Sequence, residues 1–177
     1  MERRAPSPAT FWGVLVAVLV ADVVTKAAAV TYLVPRRMPR EVFGEAVQFT
    51  LVYNPGAAFG WSVGPYSRWI FMALTVVALV ILWRLYRATL EEQRMRLVAL
   101  ALVCGGALGN LVDRIRWPRG VVDFIDVGFG TMRWPTFNIA DVAVSVGAAM
   151  LAWVLWEEDQ AAEAAPGAPP ASVPSES

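Results

Sequence analysis

Residues 135–156 read PTFNIADVAVSVGAAMLAWVLW, and this stretch decides the fold class. Asp141 is the only charged residue between 137 and 156, and crossing a hydrocarbon core of about 30 Å takes roughly 20 helical residues. Pro135 and Thr136 stand just before the apolar run, which is typical of a helix start with a hydroxyl cap. The stretch therefore predicts a transmembrane helix that carries an acidic residue near one end.

Three further apolar stretches occur earlier in the chain, at 11–34, 69–83 and 97–112. The second reaches full length only if Arg68 and Arg84 extend outward from its two ends. The third contains three glycines, the small residues that let membrane helices approach closely: Gly105, Gly106 and Gly109. Because 57% of the 177 residues are hydrophobic and the mean hydropathy is +0.50, we expect an all-α polytopic membrane protein with four transmembrane helices.

The first apolar stretch has a second interpretation, as a cleaved signal peptide. Arg3 and Arg4 precede it, and small residues follow at 27–29, where a cleavage site would lie. Against this, Asp22 and Lys26 fall where such a peptide would be apolar or small, and three more apolar stretches follow. A retained membrane helix explains the pattern better.

Two connections between the apolar stretches carry strand patterns. Residues 47–53 alternate apolar and polar side chains with a period of two, and 120–127 is a second candidate strand. With four spans, both connections face the same side of the membrane, so a small sheet is predicted over the helix ends. After Trp156, the acidic and Ala/Pro/Ser-rich segment 157–177 cannot bury a core, and we expect a membrane domain at 1–156 followed by a disordered tail.

The composition removes several kinds of chemistry. The chain has no histidine, which excludes Ser-His-Asp triads, Cys-His dyads and histidine zinc sites. Cys104 is the only cysteine, so neither a disulfide nor a thiolate metal cluster is expected. Fifteen basic and fifteen acidic residues give no sign of a nucleic-acid partner. Carboxylate chemistry remains, together with a Ser-Lys alternative that would use Lys26 and, for instance, Ser145; no metal or other cofactor is expected.

Polar residues inside membrane helices are costly, by about 2.5–3.5 kcal/mol for a charge, and each needs a reason. Asp22 and Lys26 are four residues apart, so they face each other on one helix side, and we interpret them as a structural ion pair. Asn-x-x-Asp occurs at the end of the third stretch and at the start of the fourth, which predicts a carboxylate cluster at one membrane surface: Asn110, Asp113, Asp123, Asn138 and Asp141. The alternative is a set of helix caps and surface ion pairs, such as Asp113 with Arg114.

Five motifs spread from 11 to 156 resemble those of the bacterial lipoprotein signal peptidases, also called signal peptidase II. They are DVVTK at 22–26, NPGAAF at 54–59, GNLVDR at 109–114, VVDF at 121–124 and FNIAD at 137–141. Each motif alone is weak, whereas five in the family's order are specific. The first ten residues and the acidic tail fall outside the resemblance.

The resemblance implies four transmembrane helices, a small periplasmic β-element called the β-cradle, and cytoplasmic termini in the bacterial inner membrane. It implies that Asp123 and Asp141 form a catalytic pair, one activating a water and the other acting as the acid. Positioning or substrate-binding roles come with it for Asn54, Gly56, Asn110, Arg114 and Asn138, and supporting structural roles for Asp22, Lys26 and Asp113. The implied partners are membrane lipid and prolipoproteins with a diacylglyceryl cysteine, cleaved on the N-terminal side of that cysteine.

Two other functional classes compete with a peptidase. A transporter or proton relay would also place Asp, Asn and Lys inside helices, and a membrane scaffold would tolerate loss of the carboxylates. Arginine counts do not fix the orientation, because the side with the termini holds six arginines and the opposite side holds eight. Arg3 and Arg4 favour a cytoplasmic N-terminus, in agreement with the resemblance.

Overall fold

A computed structural model of the chain describes residues 8–56 and 64–164. Within these residues four long helices occur, α1 at Pro8–Tyr32, α2 at Ser67–Ala88, α3 at Arg94–Arg116 and α4 at Ile139–Glu163. All four are long and apolar enough to cross a membrane. The predicted fold class is therefore confirmed. The signal-peptide interpretation depended on Arg3 and Arg4, which lie outside the described residues.

Helix α3 packs against all three other long helices. A Cβ atom at Gly105 would lie 3.0 Å from the Leu15 carbonyl oxygen of α1, and one at Gly106 would collide with the Ala140 carbonyl of α4. Bare backbone at these positions lets α3 approach both neighbours closely. The predicted role of the glycines is confirmed.

The bundle core lies near the end that holds the α2–α3 connection. Phe11 of α1 stacks on Tyr86 of α2 at a centroid distance of 4.1 Å, and Leu97 and Leu100 of α3 are fully buried beside them. On the outside, α1 and α2 expose apolar side chains along their length, which suits a lipid-facing surface. These include Val16, Val20, Val24, Leu74, Val77 and Ile81.

A small antiparallel sheet covers the opposite end of the bundle. Its strands are β1 at Arg40–Phe43, β2 at Val47–Asn54, β3 at Val121–Phe129 and β4 at Met132–Arg133, in the spatial order β1-β2-β3-β4. The predicted pairing of the two connections is confirmed, since β2 and β3 are hydrogen-bonded neighbours. The short strands β1 and β4 have no clear alternating pattern and were not predicted. An apolar cluster joins the sheet to the end of α1: Ala29, Leu33, Leu51, Val122 and Phe124.

Both ends of α4 differ from the prediction. The helix starts at Ile139 with Asn138 as its cap, so the hydroxyl cap predicted at Thr136 is wrong. The helix also continues to Glu163, beyond the boundary predicted at Trp156, although 157–163 was expected to be disordered. Glu158 explains the extension, because its carboxylate accepts hydrogen bonds from Gln93 at 2.7 Å and Arg96 at 2.9 Å. The rest of the tail, from 165 onward, lies outside the described residues.

Candidate active site

Asn138 and Asp141 form a reciprocal cap at the start of α4. The Asn138 side chain accepts a hydrogen bond from the Asp141 backbone N–H at 2.9 Å, and the Asp141 carboxylate accepts one from the Asn138 backbone N–H at 3.2 Å. This is a capping box, which satisfies N–H groups that lack a partner in the first helical turn. Because helix N-termini carry partial positive charge, this is a position at which acidic side chains are common.

Asp123 lies on β3 and is only 2% exposed. The Asn138 amide nitrogen donates to the Asp123 carboxylate at 2.7 Å, and the Asn54 side chain forms a second hydrogen bond with the same carboxylate. Asn138 therefore contacts both members of the predicted acid pair, one with each end of its amide group. The structure brings Asp123 and Asp141 together around this one side chain.

The surroundings of Asp123 favour its protonated form. Burial, followed by the negative charge of Asp141, raises the pKa of Asp123 from 3.8 to about 7, although the hydrogen bonds from Asn54 and Asn138 act in the opposite direction. A carboxyl with such a pKa is roughly half protonated at neutral pH and can therefore donate a proton under these conditions. The two acids are thus suited to share one proton.

Asn110 of α3 forms the next layer of the site. Its amide nitrogen donates to the Asp141 carboxylate at 2.8 Å. Its amide oxygen accepts from Lys26 at 2.9 Å and from Asn138 at 3.2 Å. Since the ammonium of Lys26 can only donate, it fixes the oxygen of Asn110 on its own side and directs the nitrogen toward Asp141.

Lys26 is the centre of a buried charge cluster, which we define as Asp22, Lys26 and Asp113. Its ammonium lies 2.8 Å from the Asp22 carboxylate and 3.0 Å from that of Asp113. The carboxylates also accept backbone hydrogen bonds, Asp22 from Ala140 at 2.9 Å and Asp113 from Val122 at 3.0 Å. The predicted pair of Asp22 and Lys26 is confirmed as a contact. Within the described chain, Asp113 pairs with Lys26 and not with Arg114, contrary to the ion pair suggested as an alternative.

Arg114 reaches toward the acids from the last turn of α3. Its guanidinium lies 5.5 Å from the centre of the Phe71 ring and interacts electrostatically with Asp141 and Asp123. Arg68 of α2 donates to the carbonyl of Arg114 at 2.5 Å and to that of Ile115 at 3.1 Å, and so anchors this helix end. The sequence indicated for Arg68 only an outward extension, because nothing in the local pattern shows which carbonyls a distant helix presents.

Gly56 follows Asn54 in a turn that an L-residue would adopt with difficulty. Its φ is +109°, and its N–H donates to the Asn54 side chain at 3.0 Å. A Cβ atom at this position would lie 2.6 Å from the Phe71 ring. The glycine is thus required by the backbone and by the packing of Phe71, and its implied positioning or substrate-binding role stays a prediction. Residues 57–59 of the same motif lie outside the described residues.

Asp141 is reached from the side through an apolar recess of about 280 Å³. The recess is lined by Trp134, Phe137, Asp141, Val142, Ser145 and Val146. Ser145 lies here, whereas the ammonium of Lys26 is directed at Asp22, Asp113 and Asn110. The structure gives no geometric support to a Ser-Lys pair. Among residues 8–56 and 64–164, no three His, Cys, Asp or Glu side chains are arranged to hold a metal ion.

Two carboxylates linked through one asparagine side chain, at one end of a bundle of membrane-length helices, are the arrangement expected of a membrane aspartic peptidase. Comparison with known proteins agrees. A family model described as signal peptidase (SPase) II matches residues 14–157. The chain therefore belongs to the signal peptidase II family and is a peptidase.

Individual relatives support the same assignment. The chain is similar to a lipoprotein signal peptidase of Paraburkholderia phytofirmans, with 43% identity over 85% of this chain and 91% of that protein. It is also similar to a lipoprotein signal peptidase of Polynucleobacter necessarius, with 36% identity over 81% of this chain and 86% of that protein. A solved structure described as a bacterial membrane enzyme at 2.3 Å resolution matches with a TM-score of 0.79 and 27% identity, over 98% of this chain and 99% of that one.

Proposed function

We propose that Asp123 and Asp141 are the catalytic pair with which this peptidase cleaves prolipoproteins on the N-terminal side of a diacylglyceryl cysteine. As a member of the signal peptidase II family, the chain removes signal peptides from prolipoproteins. The observation that supports this choice of residues is the amide group of Asn138, which bonds to the side chain of Asp123 and to the backbone of Asp141. The other acids that share a buried side chain, Asp22 and Asp113, are bound to the ammonium of Lys26, whereas Asp123 and Asp141 are linked by an uncharged amide.

The two acids have different surroundings, which assigns them different roles. Asp141 accepts hydrogen bonds from Asn110 and from the backbone N–H of Asn138, so its carboxylate oxygens are held in place at the start of α4. Burial and the charge of Asp141 raise the pKa of Asp123 to about 7, so Asp123 carries the shared proton. In the proposed mechanism Asp141 is the general base and Asp123 the general acid.

Cleavage then follows from these two protonation states. Asp141 takes a proton from a water as the water oxygen attacks the scissile carbonyl carbon, and Asp123 hydrogen-bonds the carbonyl oxygen as negative charge develops on it. When the tetrahedral intermediate collapses, the carbon–nitrogen bond breaks and Asp141 gives its proton to the leaving amine of the cysteine. The products are a signal peptide with a new carboxyl end and a lipoprotein with a free amino end.

Arg114 is suited to bind the substrate backbone. Its Nε atom is buried and has no hydrogen-bond partner among the described residues, although the guanidinium lies beside both acids. A buried donor without a partner is costly, and a substrate carbonyl could satisfy it. Asn54 and Asn138 hold Asp123 in place, Asn110 holds Asp141, and Gly56 fixes the turn behind Asn54.

A cleavage assay on a purified lipidated prolipoprotein tests the choice of acids. Asp123→Asn and Asp141→Asn keep size and most hydrogen bonding but cannot exchange a proton, so each should lose activity by about 10³-fold. The double variant should be scarcely worse than either single one, because residues that act as a unit lose their effect together. More than about a tenth of the activity remaining in either single variant, a change of roughly 1.4 kcal/mol in barrier height, would refute the pair.

The location of the site is part of the same proposal. We place both termini and the α2–α3 connection in the cytoplasm and the sheet on the periplasmic side of the inner membrane, where the acyl chains of a substrate can stay in lipid. Cysteines introduced at Glu45 and at Glu92 test this. An impermeant thiol reagent applied to intact spheroplasts should label the first and not the second, and the reverse pattern would invert the topology.

We also propose that the segment after Glu163 is dispensable, so its removal should change activity by no more than a few-fold.

A further inference from the structure

We propose that a second recess, which is polar and lies on the sheet side of the membrane, binds the phosphate group of an anionic phospholipid such as phosphatidylglycerol. The recess has a volume of about 520 Å³ and is lined by Pro35, Arg36, Arg37, Leu51, Val52 and Tyr53. It lies between the turn that follows α1 and the outer half of β2. None of the residues assigned to the peptidase site lines it.

Two arginines from different connections each lie over one aromatic ring, that of Tyr53, which lines this recess. The guanidinium carbon of Arg36 is 5.7 Å from the centre of the Tyr53 ring, and that of Arg119 is 5.6 Å from the same centre. Each distance is in the range of a cation–π interaction. Arg36 follows α1 and Arg119 follows α3, so the fold, and not the local sequence, brings the two charges to one place.

The positive charge of this cluster is not neutralised within the described chain. Arg96 and Arg133 have carboxylate partners, Glu158 and Asp126, whereas no described acid forms an ion pair with Arg36, Arg37 or Arg119. Like charges held near each other without a counterion repel each other, and an anion bound beside them reduces that repulsion. A phosphate group suits the planar guanidinium especially well, because its oxygens can accept paired hydrogen bonds.

The depth of the recess indicates that the anion belongs to a lipid. Helix α1 ends at Tyr32, and Tyr32 and Val34 are 70% and 54% exposed just before Arg36. Exposed tyrosine and apolar side chains at a helix end mark the membrane interface, where phospholipid headgroups lie. Basic recesses at this depth are suited to anionic headgroups.

The turn that carries the two lining arginines is held in place. The backbone N–H of Arg37 donates to the Leu51 carbonyl of β2 at 3.1 Å, and the Arg40 side chain donates to the Val34 carbonyl at 3.1 Å. Arg37 has a φ of +60°, which is uncommon for a residue with a side chain. Tyr53 and Asn54 are adjacent on β2 and point to opposite faces of the sheet, so a bound headgroup would lie across the strand from the side chain that holds Asp123.

Lipid association of the purified full-length protein tests the proposal directly. The protein is reconstituted in phosphatidylcholine nanodiscs with spin-labelled phosphatidylglycerol or, in a parallel sample, spin-labelled phosphatidylcholine, and the immobilised fraction of each probe is measured. Wild type should prefer phosphatidylglycerol several-fold. Arg36→Gln with Arg119→Gln should lose most of that preference, Tyr53→Leu should lose part of it, and Tyr53→Phe should keep it because the ring remains.

The matched control is Arg84→Gln with Arg87→Gln, which removes the same charge from the other end of the bundle. Equal losses in the two double variants, or no preference in wild type, would overturn the proposal. Added salt should weaken the preference of wild type for phosphatidylglycerol. A preference that does not change with salt concentration would also overturn the proposal. Inorganic phosphate that abolishes the preference at low concentration would indicate a free-anion site instead.

The same variants keep this inference separate from the peptidase assignment. Both double variants should cleave a lipidated prolipoprotein in detergent at the wild-type rate, since the cluster does not contact Asp123 or Asp141. A different outcome is that the lipid preference is unchanged in Arg36→Gln with Arg119→Gln, while KM rises for substrates with acidic residues after the cysteine. In that case these arginines bind substrate and not lipid. Absence of cleavage in wild type would contradict the proposed function and leave the lipid measurement valid.

Discussion

The motif Asn-x-x-Asp occurs twice in this chain, at the end of α3 and at the start of α4, and its two copies have different roles. In α4, Asn138 caps the helix and Asp141 accepts two donors at the helix start. In α3, Asn110 lies inside the helix, and Asp113 of the last turn is bound to Lys26 at 3.0 Å. Both copies share a spacing and a membrane surface, so the spacing alone does not determine the role.

The difference follows from the direction of each helix. A carboxylate is favoured at a helix N-terminus, where free N–H groups point at it, and disfavoured at a C-terminus, where carbonyl groups do. Asp141, which lines an apolar recess, therefore has backbone and amide donors in place of a cation. Asp113 is at the unfavourable end, only 7% exposed, and is stabilised by Lys26 and by the Val122 N–H. One copy supplies the carboxylate that we propose as the base, and the other supplies a buried counterion to Lys26.

The sharpest test exchanges the acid for its amide in each copy. Asp141→Asn should reduce cleavage by about 10³-fold per folded molecule, since the variant cannot accept a proton. Asp113→Asn should stay within about tenfold of wild type by the same measurement, because that carboxylate touches no reacting group. Asp126→Asn, in which the acid lost is bound to Arg133 and Thr50, is a matched control for a structural carboxylate. Equal losses at 113 and 141 would show that helix direction does not separate the two copies.

The buried charge cluster of Asp22, Lys26 and Asp113 gives the next largest effect, which is on stability. Lys26→Met leaves two buried carboxylates without their cation, which should cost about 3–5 kcal/mol and lower both accumulation and the unfolding midpoint in detergent. The sequence predicted a pair, for which Asp22→Leu with Lys26→Met would cost less stability than Lys26→Met alone. Because Asp113 also binds Lys26, we expect that double variant to recover only part of the loss, and a triple variant that adds Asp113→Asn to recover more. Full recovery in the double variant would exclude Asp113 from the cluster.

Asp123 gives a smaller, pH-dependent effect on stability. Its pKa is raised to about 7 in the fold from an ordinary value of 3.8, so between these two values the folded protein keeps a proton that the unfolded chain has released. Stability from this group is therefore complete at low pH and is lost as the pH rises toward 7, with no further loss above it. Asp123→Asn should match wild type in unfolding midpoint near about pH 4 and exceed it near about pH 8. A constant difference between the two proteins across this range would contradict the raised pKa.

The sequence predicted the parts of this molecule that depend on local pattern. Four apolar stretches predicted four helices, and the alternation at 47–53 predicted β2. The contact of Asp22 with Lys26 followed from a spacing of four residues, since both lie on one turn of one helix. Asn138 was included among the site residues, but the cap of α4 was predicted at Thr136 instead. A hydroxyl next to a proline is an equally good local signal for a helix start.

What the sequence did not predict depends on contacts between distant elements. Asp113 joins Lys26, and Arg68 anchors the end of α3, because the bundle brings separate helices together. The end of α4 was misjudged for the same reason, since Glu158 looks like a solvated charge until Gln93 and Arg96 are placed beside it. The raised pKa of Asp123 likewise depends on how deeply the side chain is buried in the fold, and the sequence pattern of β3 does not show that burial.

The smallest predicted effect separates the two functions of Asn138, the helix cap and the contact with Asp123. Serine caps helices nearly as well as asparagine, whereas alanine does not, so Asn138→Ala should lose about 1 kcal/mol of stability and Asn138→Ser much less. Both variants remove the amide that donates to Asp123, a hydrogen bond that lowers its pKa. In both, the pKa of Asp123 should rise, and the alkaline limb of the cleavage profile should move to higher pH, because Asp123 must be protonated to act as the acid. Asn110→Ser is the control from the other copy of the motif, since Asn110 caps no helix and does not bond to Asp123. If the alkaline limb of the cleavage profile stays at the same pH in both Asn138 variants, Asn138 acts only as the cap of α4. The two copies of the motif would then differ less than their surroundings indicate.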